Sequence, residues 1–370
     1  MRNILKAATL ESKFPLLSVE EGCILSKDAD VTVGFKVLLP EIFTLTSTDY
    51  EAMHGAWTKA IRVLPHHTIV HRQDWFLEER YKARADKEEL GFLDRSFELH
   101  FNERPFLNHF SYLFITRTTK ERMRQQSNFS VLCRGHILPK EVRDKDGVVR
   151  FLEAVEQFER IIRDSGLVRL ERLTTEEIAG REREAGLVEK YFSLSQEDTT
   201  TLEDIRLGGA EMRVGDKRLS VYTLSDADDL PGAVQTDGRY EKFSTDRSDC
   251  RLSFAAPVGL MLPCNHICNL YVFIDDPAET LRHFEKAARN MRSLSRYSRA
   301  NEINRQWAEE YLNEAHSFGL VPVRCHCNVM AWSEDRERLR NIRNDTGSAL
   351  AQMGCKPRHN TVDAPTLYWA

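Results

Sequence analysis

The stretch that most constrains this chain is Arg324–Cys355, where a period of two gives way at once to a period of 3.6. Val323, Cys325, Cys327, Val329 and Ala331 fall on one face of an extended segment, because side chains alternate along a strand. Leu339, Ile342, Leu350 and Met353 then form one apolar stripe at helical spacing. Ser333 is placed to cap this helix, with Glu334, Asp335 and Glu337 in the first turn, where negative charge suits the helix dipole. Gly354 supplies the left-handed residue that ends it, and Cys355 begins another strand. A strand followed directly by an amphipathic helix and a returning strand calls for a sheet with helices layered on it.

The same plan occurs earlier. Val31, Val33, Phe35, Val37 and Leu39 alternate; Thr48-x-x-Glu51 reads as a capping box; Tyr50, Met53, Trp57, Ala60, Ile61 and Leu64 make a helical stripe. Pro65 stops it, and His67–Trp75 is a second strand. The repeat is architectural, without residue-level identity. A helix is expected over Leu90–Phe101 and a strand over Phe110–Thr116. Residues 140–192 are charge-dense and helical, with Val148, Leu152, Val155, Glu159 and Ile162 along one helix. Residues 193–262 are punctuated by Gly208-Gly209, Pro231-Gly232 and Asp237-Gly238 around β-like runs such as Arg218–Leu224. Ile267–Ile274 is a strand, and one bent helix or a helical hairpin covers 278–317.

The expected fold is α+β: ferredoxin-like strand–helix–strand units, helices packed on one face of mainly antiparallel sheets, plus a small β-rich insertion. The segments read as an N-terminal α/β unit (1–139), a charged helical segment (140–192), the insertion (193–262) and a C-terminal ferredoxin-like unit (263–370).

Length matters here because 370 residues suffice for two or three such units. The formal charge of −5 gives no global sign of a nucleic-acid-binding glove. The longest apolar candidate, Phe254–Leu262, is about half the roughly 18 residues a spanning helix needs, and it contains Pro257 and Gly259. Eight irregularly spaced cysteines fit reduced thiols in a cytoplasm better than a disulfide framework.

Four constellations bear on chemistry. No G-x-x-x-x-G-K-[ST], G-x-S-x-G or H-E-x-x-H occurs; Gly347 and Gly354 lie in or at a helix, and close helix–sheet packing is the expected reason for Gly347. His66, His67, His71 and Asp74 suggest a metal, but His67 and His71 stand about 13 Å apart on a strand rising ~3.3 Å per residue, and the other two point away. Cys264, His266 and Cys268 with Cys325, His326 and Cys327 would make a cross-strand zinc site if their strands paired. The same spacing argument favours buried thiols acting as small apolar residues. Arg289, Arg292, Arg296, Tyr297, Arg299, Arg305 and Trp307 mix bases with aromatics as a nucleic-acid surface does, diluted by Glu302 and Glu309. Lys120–Gln126 is a further basic, polar patch. No catalytic, cofactor-binding or metal-ligating residue is assigned.

Several long blocks carry a resemblance: LESKFPLLSVEEGCILSKDADVTVGFKV (Leu10–Val37), HRQDWF (His71–Phe76), HFNERPFLNH (His100–His109), YLFITRTTKERMRQQSNFSVLCRG (Tyr112–Gly135) and AWSEDRERLRNIRNDTGSALAQMGCKP (Ala331–Pro357). Together they resemble the N-terminal region of the TraG family, conjugative-transposon ATPases related to the VirB-type assembly ATPases of type IV secretion. The likeness is weakest over 193–250. It implies an N-terminal α/β region that docks onto inner-membrane channel proteins and helps assemble homo-oligomers during DNA transfer. A RecA-like motor with Walker motifs, ATP and Mg would follow it. This chain reaches Thr366–Ala370 before any Walker motif, so no catalytic residue of the family carries over.

The expectation is therefore a non-catalytic docking and assembly domain, cytoplasmic and peripheral at the inner face of the inner membrane. Apolar surface near the C-terminal strand is expected to be covered by its own motor domain. The alternatives are a nucleic-acid-contacting domain of the same machinery and a free-standing zinc hydrolase on the Cys/His pairs.

Overall fold

The chain's hydrophobic alternation is resolved into one large antiparallel sheet in a computed structural model, which describes residues 14–81, 91–119, 145–198, 203–207, 212–224, 226–295, 297–360 and 364–369. The first half contains β1 (Leu16–Glu20), β2 (Cys23–Ser26), β3 (Val31–Leu38), α1 (Ser47–Val63), β4 (Thr68–Arg80), α2 (Phe92–Asn102), β5 (Pro105–Arg117), α3 (Lys145–Asp164) and β6 (Arg169–Arg172). Two short helices follow, α4 (Thr175–Ala179) and α5 (Leu187–Ser193). The second half contains β7 (Ile205–Arg206), β8 (Met212–Val214), β9 (Lys217–Leu224), β10 (Asp237–Arg239), β11 (Arg251–Ser253) and β12 (His266–Ile274). It continues with α6 (Pro277–Leu294), α7 (Arg299–Phe318), β13 (Val323–Ser333), α8 (Arg336–Gln352), β14 (Arg358–Asn360) and α9 (Ala364–Tyr368).

Among the described residues, twelve strands join in the order β1-β2-β3-β5-β4-β12-β13-β9-β8-β7, with β6 added to β3 and β14 to β9. Among the described residues β10 and β11 pair separately as a two-stranded sheet. Every pairing is antiparallel, so the molecule is a mixed α+β structure on a large antiparallel sheet, as its patterning indicates.

The pairings divide this sheet into two halves of matching plan. In the first, β3, β4, β5 and β6 lie in the spatial order β6-β3-β5-β4. In the second, β9, β12, β13 and β14 lie in the corresponding order β14-β9-β13-β12. Each half thus places its fourth strand beside its first and its third between the first and second. The repeat extends beyond the strand–helix–strand segments visible in the patterning. β9, from the β-rich stretch 193–262, and β6, from the charged stretch 140–192, are integral strands of the two halves.

The helical stripes explain the layering. Ala60 and Leu64 from the α1 region, with Phe151, Val155, Phe158 and Ile162 of α3, pack over Val33, Phe35, Val70, Leu113 and Ile115. On the same side of the second half, Ile342, Ala349 and Leu350 of α8 cover Tyr222, Leu224, Val329 and Ala331. The opposite face is not bare, as a one-sided arrangement would leave it. Trp75, Ile267, Met330, Val221 and Trp332 are buried there with Ile178, Leu187, Ala364 and Tyr368. Consequently β13 is buried on both faces from Asn328 to Ser333, whereas its start, Val323–Cys325, is exposed. The C-terminal apolar run is part of this core: Tyr368 is 1% exposed and its carbonyl accepts a 2.6 Å hydrogen bond from Tyr191 Oη.

Several local expectations shift. The box at α1 is Thr46/Asp49 rather than Thr48/Glu51: Thr46 Oγ1 accepts from Asp49 N, and Asp49 Oδ2 accepts from Thr46 N at 2.8 Å. The helix thus starts early enough for the box to satisfy its first orphan donors. Asp335, not Ser333, caps α8, accepting from Glu337 N and Arg338 N; Ser333 Oγ accepts from Asp335 N instead. Nothing lies within 4 Å of a Cβ built at Gly347, so close packing does not account for that glycine. Gly354 does adopt the left-handed conformation, with φ of +71°. The 278–317 segment is a hairpin of two helices rather than one bent helix.

Candidate functional site

The two halves meet at β4 and β12, which pair without interruption from Phe76↔His266 to Thr68↔Ile274. One face of this seam carries a polar ladder. Trp75 Nε1 donates to Gln73 Oε1 at 2.7 Å, and Gln73 Nε2 donates to Asn269 Oδ1 at 3.1 Å. Asn269 Nδ2 donates to Asn328 Oδ1 at 2.9 Å, and Asn328 Nδ2 reaches His326 Nε2 at 3.3 Å. His71 Nε2 also lies 3.0 Å from Asn269 Oδ1, which can only accept, so that nitrogen carries the proton. Gln73, Asn269 and Asn328 are buried, and each finds its partner on the neighbouring strand only in the observed register. A slip of one residue would turn every one of these amides to the other face. The ladder therefore pins the two halves together.

Rings line the next rung. His71 stacks on Tyr271 with centroids 4.0 Å apart, Phe114 lies 5.6 Å from His71, and His326 lies 5.9 Å from Tyr271. Such close stacking turns the faces of His71 and Tyr271 toward each other, not outward as a platform for nucleobases requires. Burial pushes the His71 imidazole down to about 4, against the opposing influences of Asn269 and Asp74.

On the other face of the seam His109, Phe76 and His266 stack in one column, at 4.4 and 4.7 Å. His266 is fully buried, with Nδ1 2.8 Å from the Cys264 carbonyl, and burial pushes it down to about 4. Asp74 lies beside this column, 3.0 Å from His109 Nε2 and 2.8 Å from Arg72 Nε. Burial acts to raise its carboxyl, but Arg72, His109 and Ser111 together hold it far below the usual range.

The residues singled out as possible ligands do not converge. Strands β12 and β13 do pair, but Cys268 faces Val329, Cys325 faces Val272 and Cys327 faces Leu270. His326 lies on the opposite face, opposite Tyr271. Burial pushes the Cys264 and Cys327 thiols up to about 12, which keeps them protonated and poor as ligands or nucleophiles. His67 takes a left-handed turn before β4 begins, away from His71. Among the described residues no three His, Cys, Asp or Glu side chains are grouped as a metal site would require. The basic set on α6 and α7 is diluted in space as well: Arg305 is held by Glu302 and Glu309 at 2.7 and 2.6 Å. Arg296 and Lys120–Gln126 lie outside the described residues.

Two features that the periodicity did not single out are on the surface. One is a cleft of about 870 Å³ between α1 and the α6–α7 hairpin, floored by the ends of β12 and β13. Ile61, Val272, Phe284, Tyr311 and Val321 line it, with Arg62 and His283 beside them. The other is the concentration of large exposed apolar side chains on two helical elements inserted between strands, α2 between β4 and β5 (Phe92, Leu93, Phe97, Leu99, Phe101) and α6–α7 between β12 and β13 (Leu294, Ile303, Trp307, Phe318). The signal for both was available in the sequence as apolar residues within helices, but which of them stay uncovered depends on what packs nearby. Among the described residues no helix is long and apolar enough to cross a membrane.

A family model described as "Domain of unknown function, B. Theta Gene description (DUF3875)" matches residues 3–55, well under half of the chain. No curated protein matches it. The matched span takes in β1, β2, β3 and the first half of α1, the edge of the sheet farthest along the first half.

Proposed function

We propose that this chain is a docking and assembly module: a rigid two-half sheet that holds other proteins through its inserted helices. The observation that carries this reading is where the apolar surface lies. Most of the sheet's central apolar residues are covered and the seam amides are paired among themselves, yet α2 has no buried residue and α6 and α7 bury one alanine each. Monomeric proteins rarely leave large apolar side chains grouped in this way unless they meet a partner.

The resemblance to the TraG family supplies the partner class. On that reading the module is the non-catalytic N-terminal region of a conjugative-transfer ATPase of the type IV secretion kind. It sits peripherally at the inner face of the inner membrane and links channel proteins to a motor domain that binds ATP and Mg. Its two halves are then units of ferredoxin-like type, and the apparatus it serves moves DNA.

The test has two arms. The purified chain is incubated with Mg-ATP and phosphate release is followed; no hydrolysis above buffer is expected, and turnover that survives repurification would sink the reading. The chain is also co-expressed with the inner-membrane proteins of a conjugation channel. Recovery of a stoichiometric complex is expected, lost when Phe97 or Trp307 is replaced by Asp.

A further inference from the structure

The α6–α7 hairpin is polarised along its length. Between Glu285 and Glu302 the sequence holds no acid, while Lys286, Arg289, Arg292 and Arg299 fall in that interval. All four are exposed, and none forms an ion pair among the described residues. The acids stand on the shaft. Glu302 and Glu309 hold Arg305 at 2.7 and 2.6 Å, Glu285 lies 3.7 Å from His316, and Glu310 and Glu314 follow on α7. The uncompensated positive charge therefore gathers at the turn end.

The same end carries uncovered apolar groups. Leu294 closes α6, Tyr297 sits in the turn and Ile303 lies one turn into α7; they are 49%, 86% and 38% exposed. Helices α6 and α7 pack chiefly on each other. At 1.5 Å per residue, the 18 residues of α6 carry the turn about 27 Å from the strand end where the helix begins. Bases and apolar side chains thus share the end of a stalk.

A single-stranded nucleic acid calls for a groove that tracks its backbone and flat rings for its bases. The turn of two helices is a convex end, and Leu294 and Ile303 are aliphatic. An anionic lipid surface calls for what is present. Apolar and tyrosine side chains enter the headgroup boundary by about 5–10 Å, and bases meet its negative potential. The shaft acids and the formal charge of −5 oppose a side-on approach, so the end-on orientation is the one that brings positive charge to the surface. We propose that the turn end of the α6–α7 hairpin, with Arg292, Leu294, Tyr297 and Arg299, inserts end-on into the interface of an anionic lipid bilayer. The contact goes beyond the docking-module reading, which reaches the membrane through channel proteins, and it stands on the charge and exposure of the tip alone.

The experiment is flotation of the purified chain with vesicles of phosphatidylcholine alone or of equal parts phosphatidylcholine and phosphatidylglycerol. The unaltered chain is expected to float with the mixed vesicles and to stay behind with the neutral ones. A base near an anionic surface is worth about five-fold in partition, so the double variant Arg292→Glu, Arg299→Glu should not float. Leu294→Ser should float about ten-fold less, through lost apolar burial. Circular dichroism confirms folding; if Leu294→Ser fails it, Tyr297→Ser takes its place. Trp307, farther from the turn, stays unaltered so that channel binding is read separately. No flotation of the unaltered chain, equal flotation on neutral vesicles, or variants that float like the parent would each overturn the proposal. So would vesicles left bare while single-stranded DNA is bound and the double variant loses it, which would assign the tip to nucleic acid. A chain that ignores vesicles yet binds channel proteins would leave the docking reading intact, and one that floats without binding them would do the reverse.

Discussion

Acidification from pH 7 to pH 5 should weaken this fold at its seam, and His266 is the residue to watch. Its ring is fully buried and stacked on Phe76, with Nδ1 against the Cys264 carbonyl. Burial lowers it from the ordinary 6.5 to about 4. The sign follows from proton binding. Between pH 6.5 and 4 the unfolded chain carries a proton that the folded one excludes, so this contribution is fully present above 6.5 and fades as pH falls toward 4. At 1.36 kcal/mol per pKa unit, the interval from 6.5 to 5 corresponds to about 2 kcal/mol lost by pH 5. His71, lowered to about 4 by burial but only half-buried, adds a smaller loss of the same sign. Asp74 and Asp237 are held below the usual carboxylate range, so their contributions fade only at lower pH and leave this window clear. The assay is urea unfolding at pH 7 and pH 5, read by tryptophan fluorescence, since Trp75 lies in the seam. In His266→Asn, which keeps a donor for Cys264 but cannot titrate, the pH-dependent loss should shrink by about 2 kcal/mol. An unchanged difference between the two pH values in that variant would show that His266 is not buried as a neutral ring.

Three further outcomes are expected. Asn269→Ala strips partners from His71, Gln73 and Asn328 at once; at about 1–3 kcal/mol per buried polar group left unpaired, urea unfolding should register more than one such unit. Thr46→Ala should cost about 1 kcal/mol of stability through the lost cap, whereas Thr48→Ala should stay within about 0.5 kcal/mol; equal effects would restore the later box. In the native protein Cys325, which is exposed, should react with iodoacetamide well before Cys264, Cys268 and Cys327, as peptide mapping would show; fast labelling of Cys264 would contradict its burial.

Much of the fold was legible because periodicity is a local property. The 31–39 alternation became β3, the stripe ending before Pro65 became α1, and Ile267–Ile274 became nearly all of β12. The errors sit where competing local signals lie close together. Thr46 and Thr48 both precede an acid by three residues, and Ser333 and Asp335 are both fair caps; the path of the chain entering the helix chose between them. Strand β4 runs five residues past Trp75 because β5 is there to pair with it, which no window of β4 alone can show.

The candidate surfaces were harder to read. Apolar residues at helical spacing announce an amphipathic helix whether its stripe meets a core, as in α3, or solvent, as in α2. Cysteines and histidines on two strands announce nothing about which will face one another until the register is set.

The sequence alone therefore carries the long strands and helices, the absence of a P-loop and the polarity of each stripe, since these depend on neighbours a few residues apart, but not short strands such as β6 and β14. Tertiary structure decided that β4 meets β12, that Gln73, Asn269 and Asn328 become one ladder, and that α2 and the cleft lie at opposite ends of a single sheet. Those outcomes depend on pairings between residues nearly two hundred positions apart, and no local pattern encodes which distant edge a strand will find.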